Sequence, residues 1–432
     1  MITAVLLLSF VFLLALGIPV AFVLGLTPLA AMAVRGETPL VLLAQRIFTG
    51  IDNPILMAVP FFILAGNLMS RGSMTMRLVA FCSAIVGGIR GGLAYINIAV
   101  SMVFAGISGA AVADTSAVGS VLIPAMKRDG YPPDFSAALT ATSSTIGPVI
   151  PPSIPFIVYG VLAEVSIASL FLAGIVPGLL LGLFQAGVVK HSSRRMGFPR
   201  ASRPGLKETV RSTRDAALVL VMPVLIVGGI LSGVFTPTEA GCVAVFYAMF
   251  IGLFVYKDLK IKDIPAILLE TGLTSSLVLL VIGTASIFSW LLASEEVPRV
   301  IAETMLSFTD SKVVILLLVN FVLLVIGTFM ETTASLIILT PVLLPLMVEI
   351  GVDPLHFGVI IVLNLVIGLT TPPVGVCLFV ACSISRMRLE SVSRAIVPFL
   401  LASIAVLIIC TFWSGLVTAI PEWFGYRVLA AS

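Results

Sequence analysis

Charge is scarce in this chain. Only 10% of its 432 residues are Asp, Glu, Lys or Arg, against about 25% in an average soluble domain. The longest polar stretch runs from residue 190 to 215, so no soluble domain fits between the apolar runs. There are two histidines, His191 and His356. They stand apart from each other and from any acid or thiol cluster, so neither belongs to a metal or catalytic set, and a structural or interfacial role is expected for both. The five cysteines (Cys82, Cys242, Cys377, Cys382, Cys410) lie in apolar segments without metal-ligand spacing, and buried thiols are expected. There is no G-x-x-x-x-G-K-[ST] loop, which excludes ATP hydrolysis by a P-loop. No HExxH and no nucleophile–base–acid set is visible, so an enzyme is not expected. The start, Met1-Ile2-Thr3-Ala4-Val5, lacks a positive n-region and reads as a mature membrane helix rather than a signal peptide.

Hydrophobic residues, by contrast, make up 59% of the chain, and the mean hydropathy is +1.20. Apolar runs such as 218–231, 243–255 and 315–325, with their flanks, are long enough to span a bilayer. A β-barrel would show short alternating segments instead. The fold class is therefore an all-α polytopic membrane protein.

Within this apolar background one pattern occurs twice. The first copy holds Gly106, Ser108-Gly109, Asp114-Thr115-Ser116, Pro124, Gly130 and Ser143-Ser144-Thr145-Ile146-Gly147, and ends at Pro151-Pro152. The second holds Gly327-Thr328, Glu331-Thr332-Thr333, Pro341, Gly351 and Gly368, and ends at Thr370-Thr371-Pro372-Pro373. The separations are 331−114 = 217, 341−124 = 217, 351−130 = 221 and 372−151 = 221, close to half the chain length. Matched breakers in two apolar halves point to the binding site of a secondary transporter.

Charge sets the expected topology. Lys190, Arg194, Arg195, Arg200, Arg203, Lys207, Arg211 and Arg214 crowd one loop, which is expected to be cytoplasmic. That loop also suits anionic lipid, but topology signal and linker is the simpler reading. Crossings at 216–234, 238–256 and 264–293 place Lys257, Lys260 and Lys262 inside and Glu295-Glu296 outside. A re-entrant hairpin near 312–349 then opens from outside. A broken helix near 356–380 runs in to Arg386 and Arg388, and a last helix near 393–418 ends outside at Trp423-Phe424. The first half mirrors this order. It has two short helices in 2–34, a crossing at 54–70, a hairpin near 90–127 opening from inside, a broken helix near 135–160 and a helix near 167–189. The expected domains are an inverted repeat over 1–189, a basic linker over 190–215 and a second inverted repeat over 216–432, with both termini periplasmic.

Each half thus carries two discontinuities at membrane depth, a hairpin tip and a Pro-rich break. Proline removes a donor and frees carbonyls. In a membrane, such backbone is tolerated only inside protein or around a cavity. Freed carbonyls with Ser and Thr hydroxyls form cages of neutral hard oxygens that suit Na⁺. Helix N-termini at the tips favour an anion such as a carboxylate. This predicts two cation sites and one anion site. Asp114 and Glu331, at matching places, read equally as ion or proton carriers and as first-turn or N-cap acids. Gly87-Gly88-Ile89-Arg90-Gly91-Gly92 contains a GxxxG spacing, which reads as close helix packing rather than a hinge. Thr236-Pro237-Thr238-Glu239 is a helix start. The segments 35–52 and 296–308 are amphipathic and read as interfacial arms.

Taken together, these residues resemble the large membrane subunit of TRAP transporters, the tripartite ATP-independent periplasmic family, over essentially the whole length. The most specific pieces are residues 113–131, 146–153, 235–240 and 368–375. The resemblance implies Na⁺-driven import of an organic acid (a C4-dicarboxylate, sialic acid or a sugar acid) by an elevator-type transporter in the bacterial inner membrane. It implies two partners, a small membrane subunit and a periplasmic substrate-binding protein, and neither ATP nor nucleic acid. It places one Na⁺ site at Ser108, Gly109, Ser143, Gly147, Ile150 and Pro151. The other falls at Gly327, Thr328, Glu331, Gly368, Thr371 and Pro372. Substrate then lies between the tips, near Ser108, Asp114, Thr115, Ser144, Thr332 and Thr333. The rival reading is a stand-alone Na⁺/dicarboxylate symporter of the ion-transporter superfamily with the same hairpin architecture.

Overall fold

Proline, glycine and a few side-chain caps divide an almost continuous apolar sequence into helices. The computed structural model describes residues 2–36, 39–71, 74–200, 205–309 and 311–426. These hold twenty α-helices and no strand, apart from an isolated antiparallel bridge between Arg90 and Arg200. Arg203 of the basic loop and the two chain ends lie outside the described residues.

The first stretch holds α1 (Ile2–Ala15), α2 (Val20–Arg35), α3 (Val41–Ile51), α4 (Ala58–Arg71), α5 (Met74–Val86), α6 (Gly92–Ser108), α7 (Ala111–Arg128), α8 (Pro133–Ser143), α9 (Ile154–Leu162) and α10 (Ile167–Met196). After the basic stretch come α11 (Leu206–Leu231), α12 (Pro237–Phe250), α13 (Ile264–Ser294), α14 (Val297–Phe308), α15 (Lys312–Phe329), α16 (Thr332–Glu349), α17 (Pro354–Gly368), α18 (Val376–Ser385), α19 (Leu389–Phe412) and α20 (Ser414–Trp423). Among the described residues, eight helical segments are by length and composition alone long and apolar enough to cross a membrane.

Packing sorts the helices into a periphery and a centre. α4 packs on α12, α2 and α3 on α13, and α5 on α11. These peripheral helices leave large apolar side chains exposed, among them Phe22, Phe48, Val224, Phe246 and Leu277. A soluble protein does not leave so much apolar area bare, whereas lipid accepts it. At the centre α7 and α8 pack on α18, α15 on α17, and α9 on α16. α17 is apolar apart from His356 and Asn364 and is buried from Leu355 to Gly368, as a helix without a broad polar face must be. Tyr159 at the end of α9 donates to the carbonyl of Pro354 at 2.6 Å, which ties the first stretch to the second.

Several expectations are corrected here. Residues 74–86 form a helix of their own between α4 and the first hairpin arm. The glycines after it are a turn and not a packing face: Gly91 has φ +80°, and a Cβ on Gly92 would meet the Gly87 carbonyl at 2.2 Å. The basic stretch is largely helical, because α10 continues to Met196 and α11 begins at Leu206. Its Lys, Arg and Glu are good helix formers. The last helix is interrupted at Trp413. The start at Thr236 is a capping box: Thr236 N–H donates to Glu239 Oε2 at 2.8 Å, and Glu239 N–H donates to Thr236 Oγ1 at 3.3 Å.

Candidate functional site

The first tip lies between α6 and α7. α6 ends at Ser108, and Gly109 closes it in the left-handed region (φ 60°), donating to Ala105 O. Only glycine fits there, since a Cβ would lie 2.8 Å from the Pro152 carbonyl oxygen. The tip therefore rests directly on the Pro-rich break, and the Pro151 carbonyl faces Gly106 from the other side. Ser108 is buried, and its Oγ has no hydrogen-bond partner among the described residues.

α7 begins at Ala111, three residues before Asp114, and Asp114 caps nothing. Its side chain is fully buried, and both carboxylate oxygens lack a partner among the described residues. A Cβ on Gly147, in the break after α8, would come within 3.9 Å of Asp114 Oδ2. The hydroxyls of Ser101 and Ser144 lie beside the carboxylate but donate elsewhere. Ser101 donates to Ser143 Oγ at 3.2 Å and Ser144 to Thr140 O at 2.8 Å. Ser143 in turn donates to Asn97 Oδ1 at 2.8 Å. An unpaired carboxylate at such a place is costly unless a cation or a proton compensates it. Of the other residues named from the sequence, Ile150 packs its side chain against Gly178 of α10, Pro151 is buried, and Thr115 donates to Ala111 O at 2.9 Å.

The second tip is built differently. Glu331 is the N-cap of α16. Its Oε2 accepts from the amides of Thr333 at 2.8 Å and Ala334 at 3.1 Å, and its Oε1 from the Thr333 hydroxyl at 3.0 Å. Thr332 Oγ1 is buried without a partner among the described residues. Behind the tip, α15 and α17 touch backbone to backbone. A Cβ on Gly368 would lie 2.5 Å from the Gly327 carbonyl carbon. The Thr328 carbonyl accepts from Gly375 N–H at 3.1 Å, binding the tip to the second break. Thr371 Oγ1 donates to Ile367 O at 3.0 Å, and Pro372 is half-buried beside it.

These helix ends correct the pairing of Asp114 with Glu331. The N-caps of α7 and α16 are Ala110 and Glu331, and 331−110 = 221. The same separation relates Gly106 to Gly327, Gly130 to Gly351, and the first residues of α8 and α17 (354−133 = 221). Asp114 thus corresponds to Ser335, also buried, whose hydroxyl has no partner among the described residues. The acids are not equivalent: one is a cap and the other a buried carboxyl group without a hydrogen-bond partner among the described residues.

The two tips converge. α7 packs on α18, where buried Cys377 lies within electrostatic reach of both Asp114 and Glu331 and beside Thr115. Asn97, Ser101, Asn320, Asn364 and Cys377 belong to this centre and were missed. The amides, isolated polar residues in apolar helices, were the available signal. Replacing Glu331 with Ala is expected to cost about 1 kcal/mol of stability, the usual worth of an N-cap. Glu331→Gln, which keeps an acceptor oxygen, is expected to recover most of it. Thermal denaturation of the purified variants reads both, and equal losses in the two would contradict the capping role.

Hairpin tips seated on broken helices around a buried carboxylate define a polytopic helical membrane protein of the transporter class. Residues 7–416 match the family model of the tripartite ATP-independent periplasmic transporter, DctM component, and the chain belongs to that family. It is 44% identical over 416 residues to the isethionate TRAP transporter permease protein DctMQ of Oleidesulfovibrio alaskensis, covering 96% of this chain and 65% of that protein. It is 40% identical to the sialic acid TRAP transporter large permease protein SiaM of Vibrio cholerae, over 95% of this chain and 96% of that one. It is 38% identical to the C4-dicarboxylate TRAP transporter large permease protein DctM of Rhodobacter capsulatus, again over 95% and 96%. These relatives are permeases, not enzymes. Among solved structures, the Alcanivorax borkumensis YdaH transporter superposes with a TM-score of 0.62 at 14% identity, over 94% of this chain and 98% of that one. That likeness concerns the fold.

Proposed function

We propose that this chain is the large permease subunit of a Na⁺-driven importer of an organic acid, working in the bacterial inner membrane with a small membrane subunit and a periplasmic binding protein. The observation that carries the reading is Asp114, fully buried with both oxygens unpaired between the first tip and the first break. A monovalent cation there would compensate the charge, with Ser108 Oγ as a second free oxygen. Ser108, Gly109, Ser143, Gly147, Ile150 and Pro151 form the surroundings of that first cation in this reading. Gly327, Thr328, Gly368, Thr371 and Pro372 surround the second. The organic acid lies between the tips, near Thr115, Ser144, Thr332 and Thr333, where the N-termini of α7 and α16 favour a carboxylate.

The constant separation of 221 supports two repeats. The alternation of basic and acidic turns supports their inversion, with both termini outside. Repeats of opposite orientation moving against a frame of α1–α4 and α11–α13 make an elevator the natural mechanism. The names of the relatives favour a binding-protein-dependent permease over a stand-alone symporter, and leave the acid open among isethionate, sialic acid and C4-dicarboxylates. Labelled-acid uptake into proteoliposomes tests the partners. Uptake is expected only when the large subunit, small subunit and binding protein are all present. Full uptake by the large subunit alone would establish the stand-alone reading instead.

A further inference from the structure

At the second break, the threonine hydroxyls that the sequence offers a cation donate their protons to helix carbonyls, which leaves their lone pairs available. Thr328 Oγ1 donates to Val325 O at 2.7 Å, and Thr371 Oγ1 to Ile367 O at 3.0 Å. One turn deeper stands a further acceptor. Asn364 on α17 is fully buried, and its Oδ1 has no partner among the described residues. The orientation of this amide is fixed by its neighbour on α15. Asn364 Nδ2 donates to the Asn320 backbone carbonyl at 2.9 Å and to Asn320 Oδ1 at 2.7 Å. A flipped amide would set its oxygen against that carbonyl, which cannot donate. Asn320 Nδ2 is itself committed, to Leu316 O at 2.8 Å and Thr411 Oγ1 at 3.3 Å. Asn364 Oδ1 is therefore a pure acceptor directed away from the amide clamp.

Its place in the fold is also specific. The next residue, Leu365, and Gly368 one turn on are the backbone that Gly327 touches beneath the second tip, at 3.1–3.3 Å from a Cβ built on Gly327. The separation 364−143 = 221 sets Asn364 opposite Ser143, and Ile367-Gly368 opposite Ile146-Gly147. In the first stretch only one of the two corresponding helices carries an amide, Asn97 on α6, bonded to the Ser143 hydroxyl. The second has an amide on both helices. α16, packed on α17, adds the buried unpartnered hydroxyls of Thr332, Ser335 and Thr340. Hard neutral oxygens of this kind suit an alkali cation better than a divalent one, which draws carboxylates.

The geometry points to Asn364 as a side-chain ligand of the second cation, its Oδ1 serving at the second tip as the Asp114 carboxylate serves at the first. The assignment rests on the proposed cation coupling and adds to it a residue one turn below the break.

The test uses the complete transporter with its binding protein. Two quantities are measured for the unaltered protein, Asn364→Ala, Asn364→Asp and Asn320→Ala: the Na⁺ concentration giving half-maximal uptake, and the Na⁺-induced rise in melting temperature of the purified protein. Loss of one neutral ligand is expected to raise the half-saturating Na⁺ about tenfold in Asn364→Ala, with the melting shift moved to correspondingly higher Na⁺. Asn364→Asp keeps an oxygen and is expected to retain Na⁺ binding. It serves as the reading variant if Asn364→Ala does not fold, and loss of its Na⁺ response would then overturn the assignment. An Asn364→Ala protein with the unaltered Na⁺ response in both assays overturns it. So does one that resembles Asn320→Ala, with lower stability and rate at unchanged Na⁺ dependence, since that is the signature of a clamp alone. Absence of any Na⁺ response in the unaltered protein overturns the proposed function instead.

Discussion

Replacing Asp114 with asparagine is expected to abolish Na⁺-driven uptake while making the cation-free protein more stable. The two effects have one cause. The Asp114 carboxyl is fully buried with no hydrogen-bond partner among the described residues, and without a cation the protein must either hold its charge there or protonate it at neutral pH, both of which cost free energy. A neutral amide of similar shape removes that cost, so the melting temperature without Na⁺ rises. The same change removes the strongest attraction for a cation. Taking about 3 kcal/mol for one partner of a buried charge pair, affinity falls about 100-fold and the Na⁺-induced stabilisation disappears. A purely structural acid would behave oppositely, with Asp114→Asn destabilising the protein at every Na⁺ concentration. Glu331→Gln is the internal contrast. Its carboxylate already accepts three hydrogen bonds as a cap, and Na⁺ dependence within about twofold of the unaltered protein is expected from a group of that kind.

The second large effect is expected at Gly368. A methyl group there would sit 2.5 Å from the Gly327 carbonyl carbon and 2.6 Å from its Cα. Neither is the end of a flexible side chain, so α15 and α17 must separate. Overpacking of this kind costs about 1–3 kcal/mol or more. Separation also breaks the fit between the second tip and its break, so Gly368→Ala is expected to lose uptake beyond its loss of stability. Gly147→Ala, at the corresponding place, is expected to be milder, because its nearest neighbour is the Ser144 carbonyl at 3.2 Å. Gly272→Ala on α13 meets nothing within 4 Å, and helix propensity predicts a gain of up to about 1 kcal/mol. Uptake and melting temperature for the three variants check this order, and equal behaviour of Gly368→Ala and Gly272→Ala would contradict it.

What the sequence disclosed, and what it hid, follows from how each feature is encoded. The membrane class needs only composition. Helix ends marked by residues of special backbone geometry were also readable, as with Gly109 at the end of α6 and the box at Thr236. The relation between the two acids was not. Matching acid to acid gives 217, whereas matching helix ends gives 221, because the backbone break recurs and the side chain filling each place does not. Helix α5 escaped notice because the polar residues before it and the glycines after it read as one connection. The Asn97 and Asn320–Asn364 amides escaped notice because a lone amide in an apolar helix carries no motif. Its partner is set by the packing of α6 on α8 and of α15 on α17. The orphaned state of Asp114 and Asn364 Oδ1 is a property of three-dimensional surroundings alone.

Uptake of labelled organic acid by the reconstituted three-component transporter, compared in an inward Na⁺ gradient, with K⁺ replacing Na⁺, and with a proton gradient alone, tests the central claim most directly. The account predicts concentrative uptake with Na⁺ and none in the other two conditions. Uptake that persists unchanged when K⁺ replaces Na⁺ would contradict it.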